Sequence, residues 1–190
     1  MDPMPPPSYL LRQARPDEIA PICHLLADME PWLTLNIIAE NLIKAFARDE
    51  MLRRVQVAAE SDKLLGVVSF RTTLATDYIT ALQARGRLNT PSAPNDDTSA
   101  IILPDGGYVN CLAVFGSQQG RGIGLALLQH AEAETAAQGS ERMYLFVSDF
   151  NNAAQRFYAR QGYTECDRVE NCVVPGRDEL LLVKAIRPHP

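Results

Sequence analysis

Leu112-Ala113-Val114-Phe115-Gly116-Ser117-Gln118-Gln119-Gly120-Arg121-Gly122-Ile123-Gly124 changes character halfway along its length. Its first four residues close an apolar run, Tyr108–Phe115, that is opened by Gly106-Gly107 and reads as a buried strand. A glycine-rich turn, Gly116–Gly124, follows. Beyond it a helix is expected to about Gln138, because Ile123, Leu127 and Ala131 recur at i, i+4 and i+8, and Gly139 supplies the stop. A strand–turn–helix of this kind is a ready anion site. The first helical N–H groups lack internal partners, and the helix dipole favours negative charge. Glycines let the backbone approach a phosphate without a Cβ in the way, and Gln119 and Arg121 add side-chain donors. The bland alternative is a turn whose glycines serve only tight packing. A P-loop is excluded, since no Gly-Lys-Ser or Gly-Lys-Thr occurs. A dinucleotide fingerprint fails because Leu125 stands where its last glycine belongs.

Working outward, Tyr9–Ala14 reads as a first strand. Pro16, Asp17 and Glu18 suit a helix start, and Ile19, Ile22, Cys23 and Leu26 form one helical face. Pro31 interrupts that helix. Leu35, Ile38, Leu42 and Phe46 predict a second one. Val55–Glu60 and Leu64–Thr73, joined by Ser61-Asp62-Lys63, read as a hairpin. Residues 74–104 break the rhythm: Thr76–Arg87 is compatible with a short helix, and Arg85–Asp97 reads as a loop. On the far side, Arg142–Val147 is expected as a strand and Asn152–Gln161 as a helix ended by Gly162. Tyr163–Val169 and Glu179–Ile186 are the last strands, joined through Pro175-Gly176. The result is an α/β chain with a mixed sheet and helices packed on it. Residues 1–8 read as a disordered proline-rich leader. Residues 9–190 read as one domain carrying an insertion at about 74–104.

Two blocks in this order are similar to the acetyl-CoA signature of the GNAT superfamily of N-acetyltransferases. The first is Leu112-Ala113-Val114-Phe115 with Gln119-x-x-Gly122-x-Gly124. The second is Asn151-x-x-Ala154-x-x-x-Tyr158-x-x-x-Gly162-Tyr163. The resemblance spans nearly the whole chain, leaving out the leader and the insertion. It implies a mixed, mostly antiparallel sheet of about six to seven strands, flanked by helices. A central strand pair splays apart at the acetyl-CoA site. It further implies that backbone groups of Leu112, Ala113 and Val114 pair with the pantetheine arm. Backbone N–H groups of Gln119, Gly120, Arg121, Gly122, Ile123 and Gly124 would hold the pyrophosphate. Asn151 and Ala154 would lie along the cofactor, and Tyr158 near the thioester sulfur.

The implied activity is direct transfer of the acetyl group of acetyl-CoA to a primary amine in a ternary complex. Tyr158 would be the catalytic acid for the departing thiolate. A non-catalytic acyl-CoA sensor of the same fold, or use of another acyl-CoA, stands as the alternative. Many relatives carry a glutamate base on the strand before the phosphate loop. This chain offers Tyr108, Asn110 and Cys111 there instead. The amine's proton then leaves through water, through a carboxylate elsewhere, or unassisted. Cys111 has no histidine near it in sequence and reads as core, while His24 and His130 read as surface or packing residues. Trp32 reads equally as acceptor pocket or as packing, and Asp149 and Asn152 as turn or capping residues.

Composition sets the outer limits. The 190 residues are 46% hydrophobic but only 7% aromatic, so the core is aliphatic. A formal charge of -5 and the lack of a basic tract argue against nucleic acid as a partner. Four cysteines show neither CxxC spacing nor ligand-like spacing to histidine, so no metal is expected. No apolar run is long enough to cross a membrane, and the chain is expected in the cytoplasm. The expected partners are acetyl-CoA and an unidentified amine, with a homodimer left open.

Overall fold

The computed structural model describes residues 8–48, 54–73, 79 and 104–186. A seven-stranded sheet runs in the order β1-β2-β3-β4-β5-β7-β6. Its strands are β1 (Leu10–Gln13), β2 (Arg54–Glu60), β3 (Lys63–Arg71), β4 (Gly107–Val114), β5 (Arg142–Ser148), β6 (Thr164–Val169) and β7 (Glu179–Ala185). Every neighbouring pair is antiparallel except β4 and β5. Among the described residues the sheet is flanked by α1 (Ile19–Ala27), α2 (Ala39–Arg48), α3 (Ile123–Ala137) and α4 (Asn152–Arg160). The expected mixed, mostly antiparallel sheet is therefore what the chain builds.

Two cores explain the layers. On one face Val68, Phe70, Leu145 and Leu182 pack with Leu127, Leu128 and Ala131 of α3 and with Tyr158 of α4. On the other face Val57, Val67 and Ala113 pack with Ile22, Cys23 and Leu26 of α1 and Phe46 of α2. Each fully buried aliphatic side chain contributes about 1.5–3 kcal/mol. Farther along the second face Tyr108, Tyr144 and Leu181 enclose Ile79, which is 1% exposed. The inserted segment thus lends at least one side chain to the core. The expectations for the leader over 1–7 and for the helix and loop of the insertion otherwise lie outside the described residues.

One boundary differs from the sequence reading. α2 begins at Ala39, so Leu35 and Ile38 precede it. Asn36 adopts a left-handed backbone at φ 52, which no helix can pass through. Residues 31–37 instead form a compact turn, tied by Leu35 N–H to Pro31 O and Ile37 N–H to Trp32 O. Leu35 is buried from that turn, while Ile38 is 55% exposed.

Two features position the site. First, α3 sits tightly on β3 at Gly66, where a Cβ would lie 2.7 Å from Ala113 O and 3.2 Å from both Ile123 and Leu127. That close approach seats the start of α3 beside the end of β4. Second, β4 carries a bulge: Ser69 faces Cys111 and Phe70 faces Val109, leaving Asn110 as the extra residue. The parallel pairing of β4 with β5 stops at the same level, with Val109 opposite Leu145. Beyond it Asn110–Val114 and Phe146–Ser148 run on without pairing to each other.

Candidate active site

The unpaired ends of β4 and β5 open into a cavity of about 830 Å³ that reaches through the sheet. Asn110, Cys111 and Leu112 line it from β4, Ser148 from β5 and Tyr158 from α4. Leu112, Ala113 and Val114 are paired with Val68, Val67 and Gly66 on the β3 side. Their other edge faces the gap, with backbone groups that the sheet does not use.

Tyr158 is placed by local sequence. Asn151 caps α4 by accepting the Ala154 N–H at 3.1 Å, and Gly162 releases the helix at φ 87. Of the turn or capping roles expected for Asp149 and Asn152, the cap belongs to Asn151, while Asn152 Nδ2 donates to Phe150 O at 3.4 Å within the turn and the Asp149 N–H to Asp178 O at 2.9 Å. The Tyr158 ring stands edge-on to Phe157 and Tyr163, with centroids 5.2 and 5.6 Å away. Burial pushes its hydroxyl well above the usual tyrosine range, and the Cys111 thiol adds to the shift. At neutral pH it keeps its proton.

The glycine turn lies at the start of α3, apart from the cavity. Gly122 is the N-cap at φ 75, and no side chain caps this helix. A Cβ on Gly120 or Gly122 would touch nothing within 4 Å. These glycines are therefore not demanded by packing; they shape an exposed loop in front of free N–H groups. Gly124 lies one helical step inside, where a Cβ would be 3.4 Å from Val114. Arg121 donates to Ser8 Oγ at 2.7 Å and to Gln118 Oε1. The expected site residues thus fall into two groups, Leu112, Asn151, Ala154 and Tyr158 at the cavity and Gln119–Gly124 at the helix start. Ala113 and Val114 connect them.

Residues 19–163 match the acetyltransferase (GNAT) family. The chain belongs to that family. Arabidopsis thaliana NAA60 in complex with a bisubstrate analogue is similar in fold at 17% identity, with a TM-score of 0.68 over 95% of this chain and 99% of that one. The same protein in complex with acetyl-CoA matches at 18% identity, with a TM-score of 0.66 over 94% and 98%. The ribosomal-protein-S18-alanine N-acetyltransferase of Escherichia coli matches at 15% identity, with a TM-score of 0.64 over 96% of both chains. At these identities the likeness shows the GNAT fold.

Several cavity residues of this GNAT chain escape a reading of its sequence. Glu179 is 7% exposed and accepts a hydrogen bond from Ser148 Oγ at 2.6 Å. Burial pushes its carboxyl up to about 7; the Ser148 hydroxyl opposes the rise and Asp149 adds to it. Both polar atoms of the Asn110 amide are buried without a hydrogen-bond partner. An unpartnered amide at the mouth of a gap marks a place where a ligand would complete the bonding. The sequence marked Asn110 only as a polar residue on the strand where many relatives carry a glutamate; for Glu179 there was an acid at the edge of a strand.

Trp32 both lines the cavity and packs on the α1/α2 core. His130 pairs with Glu134 at 2.8 Å, one turn along α3, and no histidine lines the cavity among the described residues. Among the described residues no cluster of three or more His, Cys, Asp or Glu could hold a metal, and no helix is long and apolar enough to cross a membrane.

Proposed function

We propose that this GNAT chain moves the acetyl group of acetyl-CoA directly to a primary amine in a ternary complex. The observation that carries the reading is the open edge of β4, which leads from the uncapped start of α3 to the buried hydroxyl of Tyr158. A long, thin thioester with a pyrophosphate at one end fits such a track. Open space at Gly120 and Gly122 leaves room for phosphate oxygens, and N–H groups from Gln119 to Gly124 are free to meet them. Leu112, Ala113 and Val114 would bind the pantetheine arm as an added strand would. Asn151 spends its side-chain oxygen on the α4 cap, so its Nδ2 is left for the cofactor, beside Ala154.

Tyr158 would donate its proton to the departing thiolate, a role that suits a hydroxyl kept neutral by burial. An N–H on the open edge of β4 would polarise the thioester carbonyl. The amine would enter from the α1/α2 side, where Trp32, Leu35, Leu42 and Phe46 form a largely apolar wall. That wall favours an amine borne on an apolar group. None of the four cysteines is in a disulfide, which suits a reducing cytoplasm. One domain over residues 9–190, with its insertion at about 74–104, is enough for this chemistry.

The test is thiol release from acetyl-CoA against a panel of primary amines, with the acetylated product identified by mass spectrometry. Product from an apolar amine supports the reading. Binding of acetyl-CoA with no transfer to any member would leave the acyl-CoA sensor as the better description.

A further inference from the structure

We infer that Glu179 is the base that takes the proton from the acceptor amine, working across the sheet from Tyr158. The inference rests on the acetyl-transfer reading above. It supplies a group that the β4 sequence, with Tyr108, Asn110 and Cys111, does not.

Along β7, Leu180 and Leu182 pack on the α3/α4 face, while Leu181 and Val183 pack on the opposite face with Tyr108 and Tyr144. Side chains alternate along a strand, so Glu179 lies on the same face as Leu181. Tyr158 comes from α4, on the other face. Both nevertheless line one cavity, because β4 and β5 have parted between them. A thioester in the gap would therefore have a proton donor on one side and a carboxylate on the other. The carboxylate is on the side where Trp32, Phe46 and Cys111 form the wall. Ser148 pairs with Glu179 in register and fixes Oε1. Among the described residues no hydrogen bond engages Oε2.

The surroundings favour a working base over a structural ion. Ser148 and Asp149 approach from the end of β5, Tyr158 from α4, Cys111 from β4 and Cys172 from the β6–β7 connection. Lys44 of α2 and Glu30 of the α1–α2 connection line the same cavity. The adjacent Asp178 is engaged with Arg168 at 3.6 Å, and Arg177 stacks on Phe150 at 5.0 Å. None of these cations contributes to the shift of Glu179, which burial dominates. A carboxylate that titrates near neutrality can both accept an amine proton and pass it to solvent.

The proton and bond count closes. Glu179 takes one proton from the bound ammonium, which frees the nitrogen lone pair. The lone pair forms the C–N bond and the C–S bond breaks. Tyr158 gives its proton to the sulfur and is reprotonated, through cavity water, by the second nitrogen proton. Glu179 releases its proton to solvent. One acetyl group is moved and one proton is produced per turnover.

The experiment measures the pH dependence of kcat/KM for thiol release by the full chain with acetyl-CoA. The acceptors are 2-phenylethylamine and, in its absence, water. For the parent, the rate should rise about tenfold per pH unit and level off near the Glu179 value, about 7. Glu179→Gln should lose about 10²–10⁴-fold at pH 7.5 and lose the break, the rate climbing on towards the amine's own ionisation. Acetyl-CoA affinity should stay within a few-fold. Ser148→Ala should move the break to higher pH and keep the plateau, because the hydroxyl lowers the carboxyl value; this variant decides the matter if Glu179→Gln fails to fold. An active parent whose break survives in Glu179→Gln, or stays put in Ser148→Ala, overturns the role of Glu179 alone. A parent that binds acetyl-CoA but releases no thiol with either acceptor overturns the transfer reading and Glu179 with it.

Discussion

Glu18 and Glu179 are the same residue type at nearly the same burial, 6% and 7% exposed, and their carboxyls move in opposite directions. Glu18 receives Arg12 through two hydrogen bonds of 2.8 and 2.7 Å, the Arg15 N–H at 2.8 Å and the Arg15 guanidinium at 3.0 Å. The Arg12 hydrogen bond outweighs desolvation and holds the carboxyl down at about 2. Glu179 has one hydroxyl and no cation, and burial takes it up to about 7. Burial alone therefore says nothing about the role of a buried acid; the partners decide. Glu18 is neutralised, joins β1 to the start of α1 and lies outside the cavity. Glu179 is left unneutralised where a positively charged substrate would supply the missing partner.

Tyr158 belongs on the Glu179 side of this contrast, as a second group that burial shifts and that faces the gap. The largest expected effect is there. Tyr158→Phe keeps the ring between Phe157 and Tyr163 and removes the proton, and kcat should fall about 10²–10⁴-fold. Acetyl-CoA affinity, measured by calorimetry, should change by no more than a few-fold. Turnover at the parent rate would remove Tyr158 from the chemistry.

The next effect is on stability. Arg12→Ala should cost roughly 2–4 kcal/mol in denaturant unfolding at pH 7, by leaving a buried carboxylate with one guanidinium fewer. In the parent, the low value of Glu18 gives stability that is complete above the unfolded-state value of 4.5 and is lost as pH falls towards 2. Solvent near Arg12 and Arg15 holds that contribution to roughly 1–3 kcal/mol. A flat acid limb would show that Glu18 is no better placed folded than unfolded.

Glu179 has the opposite sign. Its folded value lies above 4.5, so the folded chain binds the extra proton and the parent loses stability as pH rises from about 4.5 to about 7. Glu179→Gln removes that loss. Relative to parent, it should be more stable at pH 8 than at pH 5 by up to about 3 kcal/mol. Equal differences at the two pH values would show that folding does not raise the Glu179 carboxyl, and the opposite directions of the two glutamates would be lost.

Which parts of this were legible in the sequence follows from distance along the chain. α3, its glycine turn and the Asn151–Gly162 helix rest on contacts within a few residues, and their periodicity and stops located them closely. The start of α2 was misplaced because Leu35 and Ile38 share helical spacing with Leu42 while Asn36 turns the backbone left-handed between them. The bulge at Asn110 was invisible, since it exists only in the register of β4 against β3. Glu179 could be placed beside Ser148 only through the β5–β7 pairing, 31 residues apart. The splay of β4 from β5 came from resemblance, not from any residue pattern.

The smallest predicted structural cost is at the glycine turn. Gly122→Asn keeps a residue that tolerates φ 75 and fills space that is now open. Unfolding stability should change by no more than about 1 kcal/mol, while acetyl-CoA affinity falls at least about tenfold. Unchanged affinity would return these glycines to a purely conformational role.

The most direct measurement is the melting temperature of the full chain with acetyl-CoA, and separately with NADH and ATP. A ligand held in the β4–β5 gap binds only the folded state, and at a hundred times its Kd it adds about 2.7 kcal/mol. The account predicts a clear upward shift with acetyl-CoA and much smaller shifts with the two nucleotides. A shift with NADH and none with acetyl-CoA would contradict it.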